Sequence, residues 1–419
     1  MERLALELAR RGHQLSVVTG TFETRPRVET SRRVQDGIQV FTIHRADLFF
    51  DRWEKTYCPA ASDAFARILG ELRPDLVHIH QFIRLSRDLV HRATEARIPA
   101  VLTLHDFTTT CLIGFRAPGA GSAFCDLLPN YPDCVPCAAS IGPGVPLAPP
   151  EEFQTLRDDL RNELELARAR IAISGAQREK LARYHGIPGS RFEVVPLAPV
   201  AELRRGAPAP EPPPLRVASW GMQMERKGAH VLIEAAAKVG DRVEVEIFGR
   251  FDDPKYERRC RELARGLPVR FHGRFEWEEL EATRLHAAVF PSLTFETFGL
   301  TFDEAWALGH PVIATDLGAY RERADASTRL FPTGDSDALA GILRSLASDP
   351  GALACLRAAV RPPAGFGGFV DAMEAIYARA VREGAPPREA DAFDPARHPD
   401  AREFDAREAL LRSQLSESP

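Results

Sequence analysis

Glu296 and Glu304 are the two residues of this sequence whose type and setting point most directly to chemistry. Their spacing alone means little, because glutamate-rich helices produce it by chance. The frame around them says more. Ala288 to Pro291 reads as a strand, Glu296 lies in the loop that follows, and Gly299 allows close backbone approach where a helix over Thr301 to Leu308 begins. Glu304 then falls about a turn and a half into that helix. Unpaired backbone N–H groups near Phe298, Gly299 and Leu300 can meet a phosphate or sugar oxygen. A loop carboxylate can accept hydrogen bonds from sugar hydroxyls, and a helix carboxylate can hold a ribose diol. The bland alternative is a solvated helix face with two exposed glutamates.

A basic loop precedes this segment. In Trp220 to Gly228 a strand delivers Gly221, Arg226 and Lys227 to a helix start, a natural place for a diphosphate. In the first half of the chain, His78 and His80 follow Pro74-Asp75, and His105 precedes Asp106. Each histidine stands near the carboxyl end of an expected parallel strand. There an imidazole with a pKa of about 6.5 can donate a hydrogen bond or steer a proton. For His78 and His80 a structural role is the simpler expectation.

Alternating strand and helix signals must position these groups. They run from His13 to Val195 in one series and from Leu215 to Thr315 in another, which argues for βαβ units and parallel sheets. Between the series, Ala207 to Pro214 is a stiff proline-rich connector. The expected organisation is a first α/β domain over 1–199, a linker over 200–214 and a second α/β domain over 215–383. A polar, proline-rich tail over 384–419 is too poor in apolar residues to fold. A cysteine-rich excursion over 111–150 interrupts the first domain. Ligands sit at the carboxyl ends of strands in open parallel sheets, so the site should lie in a cleft between the two domains.

At these residues the sequence resembles the retaining glycosyltransferases of family four, which have the GT-B fold of two Rossmann-like doubly wound domains facing across a cleft. The frame Pro-Ser-x3-Glu-x-Phe-Gly-Leu-x3-Glu-Ala-x2-Leu-Gly-x-Pro-Val-Ile-Ala-Thr carries the likeness, which runs from about Met1 to Tyr377. The resemblance implies that Glu296 touches the transferred sugar and Glu304 holds the ribose. It implies that Lys227 meets the phosphates and that His105 contacts the reacting sugar or a nearby phosphate. It further implies a retaining, front-face reaction with a nucleotide-sugar donor, no cofactor, no metal ion in catalysis, and a glycan, lipid-linked or small-molecule acceptor. Phe271 to Phe275 resembles the segment that passes the nucleobase. Met222 departs from the pattern, since an arginine usually follows this glycine, and Arg226 is the residue nearby that could replace it. A sugar-nucleotide-binding protein with weak turnover, or another GT-B enzyme such as an epimerase or phosphorylase, are the competing expectations. Family members also begin with a strand and a glycine-rich loop ahead of the helix that opens this chain. A start inside that element is therefore expected to weaken transfer.

Cys111, Cys125, Cys134 and Cys137 form a Cys-x13-Cys-x8-Cys-x2-Cys set. Structural zinc, reduced thiols and disulfides are all open for it, since only one close pair is present. The 419 residues carry 54 Lys plus Arg against 59 Asp plus Glu, for a formal net charge of -5, so composition supplies no attraction for nucleic acid. Arg25, Arg27, Arg32 and Arg33 cluster locally, as a solvated surface or as a patch for anionic headgroups or a phosphorylated acceptor. No apolar run reaches the roughly 18 residues of a membrane span. With no leader pattern and seven cysteines, the expected location is the cytoplasm, with peripheral contact at the inner face of the membrane open.

Overall fold

The computed structural model describes residues 2–23, 25, 27–45, 57–117, 124–141, 150–199 and 203–387. The connector residues 200–202, parts of the excursion, and the tail from 388 onward lie outside the described residues.

The first half opens on the helix Glu2–Arg10, which buries Leu4 and Leu8. Then follow β1 (Ser16–Gly20), β2 (Glu29–Gln35) and β3 (Ile38–His44). Strand β2 was not expected from the sequence. It pairs antiparallel with β3 through Asp36-Gly37, both at positive φ, the dipeptide that suits a tight hairpin. Arg32 and Arg33 therefore sit on a strand, where Arg32 pairs with Glu71 and Arg33 bonds Thr42. Arg25 meets Glu23 and Glu29, and Arg27 meets Glu29, so carboxylates offset much of the local charge.

Next come β4 (Val77–Ile79), β5 (Ala100–Leu104), β6 (Ala169–Ala172) and β7 (Glu193–Val194), all parallel in that order. Among the described residues the first half thus holds two sheets, one ordered β1-β3-β2 and one ordered β4-β5-β6-β7. Strand β5 is buried along its whole length, as a parallel strand covered on both faces must be.

The second half is one sheet of six parallel strands. They are β8 (Leu215–Trp220), β9 (Val243–Phe248), β10 (Val269–Gly273), β11 (Ala287–Phe290), β12 (Val312–Thr315) and β13 (Thr328–Phe331), in the order β10-β9-β8-β11-β12-β13. From β8 the chain first winds one way and then returns to build the other side. The switch point lies between β8 and β11, where a crevice opens at the carboxyl ends. Apolar clusters cover both faces of this sheet, one around Val217, Val245 and Leu343, the other around Ala218, Phe290 and Phe302.

The last described helix, Phe366–Glu383, belongs by sequence to the second half but packs on the first. Val370, Met373, Ile376 and Ala380 are buried with Leu4, Leu8, Val101 and Ile171. Its apolar face completes a core that the opening helix covers only in part. The described connector lies against the second domain, with Gly206 N–H donating to the Leu308 carbonyl at 2.8 Å.

Candidate active site

The loops after β8 and β11 meet at the switch point, and glycines let them. Gly228, at φ +75°, lies so close to Pro291 that a Cβ there would stand 2.0 Å from its carbonyl oxygen. The Leu293 N–H donates to the Arg226 carbonyl at 2.7 Å and stitches the loops further. Gly221 takes φ +109°, and its carbonyl oxygen packs where a Cβ on Gly249 would be, at 1.8 Å.

This clamp brings Lys227 to Glu296. The lysine Nζ lies 2.5 Å from Glu296 Oε1, and the Ser292 hydroxyl donates to the same oxygen at 2.6 Å. Glu296 is 8% exposed, while the Lys227 side chain keeps 40% exposure and can turn toward a ligand. Gly299, at φ +77°, caps the helix Leu300–Ala307 and faces the Tyr320 ring, which a Cβ would approach to 2.3 Å. Arg323 holds this turn from behind. It donates to the Phe298 and Gly299 carbonyls at 3.2 and 3.1 Å, pairs with Asp303, and covers the Phe298 ring at 4.1 Å. With those carbonyls held, the amides at Phe298, Gly299 and Leu300 sit in a fixed turn at the positive end of the helix.

Glu304 accepts one hydrogen bond, from Trp220 Nε1 at 2.8 Å, and burial pushes its pKa up to about 7. The indole bond opposes that rise, and the nearby Asp303 adds to it. A carboxyl group so placed holds unused acceptor capacity. Arg226, the other basic residue of this loop, reaches toward the first half. Its guanidinium lies 4.0 Å over the ring of Phe115, a residue of the cysteine-rich excursion, and burial lowers its pKa. Met222 is exposed on the loop between.

The first half faces this site with His105. The Thr297 hydroxyl donates to the His105 carbonyl at 2.9 Å, so the histidine is tied to the residue next to Glu296. Phe295 packs on Phe107 and Phe124, with ring centroids 5.4 and 4.9 Å apart. The Glu322 carboxylate accepts from the N–H groups of Gly175 and Ala176 at 2.9 and 2.6 Å, capping a first-half helix from the second half. Sequence reasoning missed Trp220, Ser292, Thr297, Asp303, Glu322 and Arg323. Glu322 and Arg323 lie beyond the Pro291–Thr315 frame, and nothing in a linear pattern says which carbonyls an arginine will reach.

The four cysteines are in no disulfide. Burial raises the thiol pKa values of Cys134 and Cys137; the fields of Cys111 and Cys125 add to both, and that of Cys134 adds to Cys137. The four are thus neighbours, but among the described residues no three His, Cys, Asp or Glu side chains converge as a metal cage. No described helix is long and apolar enough to cross a membrane.

Two facing α/β units with a switch-point site define the GT-B class of glycosyltransferase. Sucrose-phosphate synthase from Thermosynechococcus elongatus shares the fold, with a TM-score of 0.59 at 19% identity over 91% of this chain and 92% of that one. The family profile "Glycosyltransferase Family 4" matches residues 1–198, and "Glycosyl transferases group 1" matches 215–349. The chain belongs to this family of glycosyltransferases. It is 27% identical over 403 residues to D-inositol 3-phosphate glycosyltransferase 1 of Catenulispora acidiphila, covering 85% of this chain and 90% of that protein. It is also 38% identical over 130 residues to the phosphatidyl-myo-inositol mannosyltransferase of Mycobacterium leprae, across 29% of this chain. That second match spans 34% of the mycobacterial protein's length.

Proposed function

We propose that this glycosyltransferase moves a sugar from a nucleoside-diphosphate sugar to an acceptor hydroxyl with retention of configuration and without a catalytic metal ion. The observation that carries the proposal is the convergence of Lys227, Glu296 and the Gly299 helix start at the switch point, opposite His105. Lys227 and the helix amides supply the positive potential that a departing diphosphate requires, the service a metal ion gives elsewhere. Released from Lys227 by the phosphates, Glu296 accepts hydrogen bonds from the hydroxyls of the transferred sugar. Glu304 takes the ribose diol with its unused acceptor capacity. The bond from the anomeric carbon to the diphosphate oxygen breaks while the acceptor oxygen attacks on the same face. The acceptor proton passes to the departing phosphate oxygen, so the groups balance without an external base. His105 donates to an oxygen of the sugar or phosphate.

The acceptor class is a glycan, lipid-linked sugar or small molecule. Inositol-bearing acceptors come first for trial because both relatives are named for them. A lipid-linked acceptor would bring the protein to a membrane surface by binding rather than by a span. A second reading, donor binding with weak turnover, draws on Met222 and on the engagement of Arg226 with Phe115.

Thermal unfolding with UDP, GDP and ADP, on wild type and Glu304→Ala, tests the donor site. A nucleotide at about a hundred times its dissociation constant should stabilise by roughly 2.7 kcal/mol. One nucleotide should shift the wild type and not the variant; no shift with any of the three would remove the donor-site assignment. Product stereochemistry by proton NMR then tests retention. His105→Ala should depress transfer more than nucleotide binding, and equal turnover would take His105 out of the mechanism.

A further inference from the structure

His105 does not stand alone. Its Nε2 lies 2.9 Å from Nδ1 of His80, and the two rings stack with centroids 5.3 Å apart at 18°. His80 in turn lies against His78, with centroids at 3.8 Å. His78 bonds Thr103 Oγ1 at 2.8 Å through Nε2 and the Tyr377 hydroxyl at 2.7 Å through Nδ1. Tyr377 belongs to the helix that crosses back from the second half. A file of side chains therefore runs from that helix, along the ends of β4 and β5, to the cleft.

Burial lowers the pKa of all three imidazoles, so each is neutral and carries one proton. Between two neutral rings in contact, one nitrogen must donate and the other accept. The His80–His105 bond consumes Nε2 of His105 and leaves Nδ1 as the ring nitrogen without a described partner. Free histidine prefers the proton on Nε2. In that form His105 would present only a lone pair to the oxygen-rich ligand of the cleft. Donation from His80 to that nitrogen requires the His80 ring too to carry its proton on Nδ1.

We propose that His80 is a positioning residue that donates from Nδ1 to His105 Nε2 and so holds His105 in the Nδ1–H form, its N–H presented to the donor sugar or diphosphate. The choice of His80 as the donor and the use of the His105 N–H both rest on the transfer reaction proposed above; the contact between the two rings does not.

The test uses two near-isosteric polar variants of the full chain. His80→Asn keeps an amide near the position of Nδ1, and His80→Gln places it near Nε2. With nitrogen-15-labelled histidine, long-range proton–nitrogen spectra report which ring nitrogen bears the proton, and the His105 signals are those lost in His105→Gln. The wild type and His80→Asn should show His105 protonated on Nδ1, and His80→Gln should shift it to Nε2. Transfer kcat should fall about tenfold in His80→Gln with donor KM within about twofold, and His80→Asn should recover most of it. An Nε2–H form in the wild type, or the same tautomer in all three proteins, overturns the proposal. If no acceptor is ever glycosylated, the tautomer result still stands or falls by itself. An Nδ1–H tautomer that responds to His80 in an inactive protein would count against the proposed reaction and not against the positioning.

Discussion

The second half of the molecule sets its site loops by backbone, with side chains such as Arg323 and Ser292 adding to the hold, and the first half relies on side-chain contacts. In the second half, six paired strands run without a break. The site loops leave neighbouring strands β8 and β11 and are clamped at Gly228 on Pro291. In the first half, the described strands fall into two sheets, and β4 has only three residues. There His105 is held by its bond to Thr297 and by the histidine file, and Phe107 and Phe124 grip Phe295. A continuous parallel sheet places its loops by the sheet's own geometry. Where the sheet is divided, long-range side-chain contacts do that work, and single substitutions there should alter activity with little loss of stability.

The comparison is broken most severely at Gly228. Gly228→Ala introduces a Cβ against the Pro291 carbonyl in a left-handed backbone, and strain plus displacement should cost about 2–4 kcal/mol. Both the melting temperature and nucleotide binding should fall. A variant as stable as the wild type would show that the clamp does not exist in solution.

Next in size is the pH dependence of nucleotide binding. In the proposed donor site the carboxylate form of Glu304 is the one that would accept the diol, and its pKa in the ligand-free protein is pushed up to about 7. Affinity should therefore drop by up to about tenfold per pH unit below that value, and Glu304→Gln should lose this dependence. The sign for stability is opposite to that of an ion-paired carboxylate. The folded pKa lies above the unfolded one, so this group's contribution is present at low pH and is lost as pH rises through about 7. Calorimetry from about pH 4 to 8 on the two proteins, a window that spans both 4.5 and about 7, measures both effects.

Thr297→Val sharpens the contrast from the other side. Losing one neutral hydrogen bond costs about 1 kcal/mol, so transfer should slow about fivefold while nucleotide affinity holds. Parallel losses in both would mean that Thr297 supports the Glu296 loop rather than the link to His105. The smallest expected change is for Phe115→Ala, which removes a partly exposed cation–π contact worth about 0.5–1 kcal/mol. If Arg226 then turns to the phosphates, donor affinity should rise about two- to threefold. An unchanged or lower affinity would keep Arg226 out of phosphate binding.

Much of the site was legible because its residues are close in sequence. Glu296, Gly299 and Glu304 are separated by one loop and one helical turn or so, and local backbone rules set their relation. The strand–helix alternation and the proline-rich connector likewise disclosed two α/β units. Strand β2 escaped notice because its mostly polar and charged residues lack an apolar face; pairing with β3 makes it a strand. The fate of Phe366–Glu383 was equally hidden, since an amphipathic helix states that it has a buried face but not which core will cover it.

Sequence alone determined the order of the elements apart from β2, the glycines that permit the tight loops, and the chemical groups available to the proposed donor. Tertiary structure decided that Lys227 rests on Glu296, that Arg226 is occupied by Phe115, and that His80 meets His105. The reason is that hydrogen bonds and ring contacts extend only a few ångströms, while their partners here lie 25 to more than 100 positions apart in the chain. Such contacts are chosen by how the sheets and helices pack, and no local pattern records that choice.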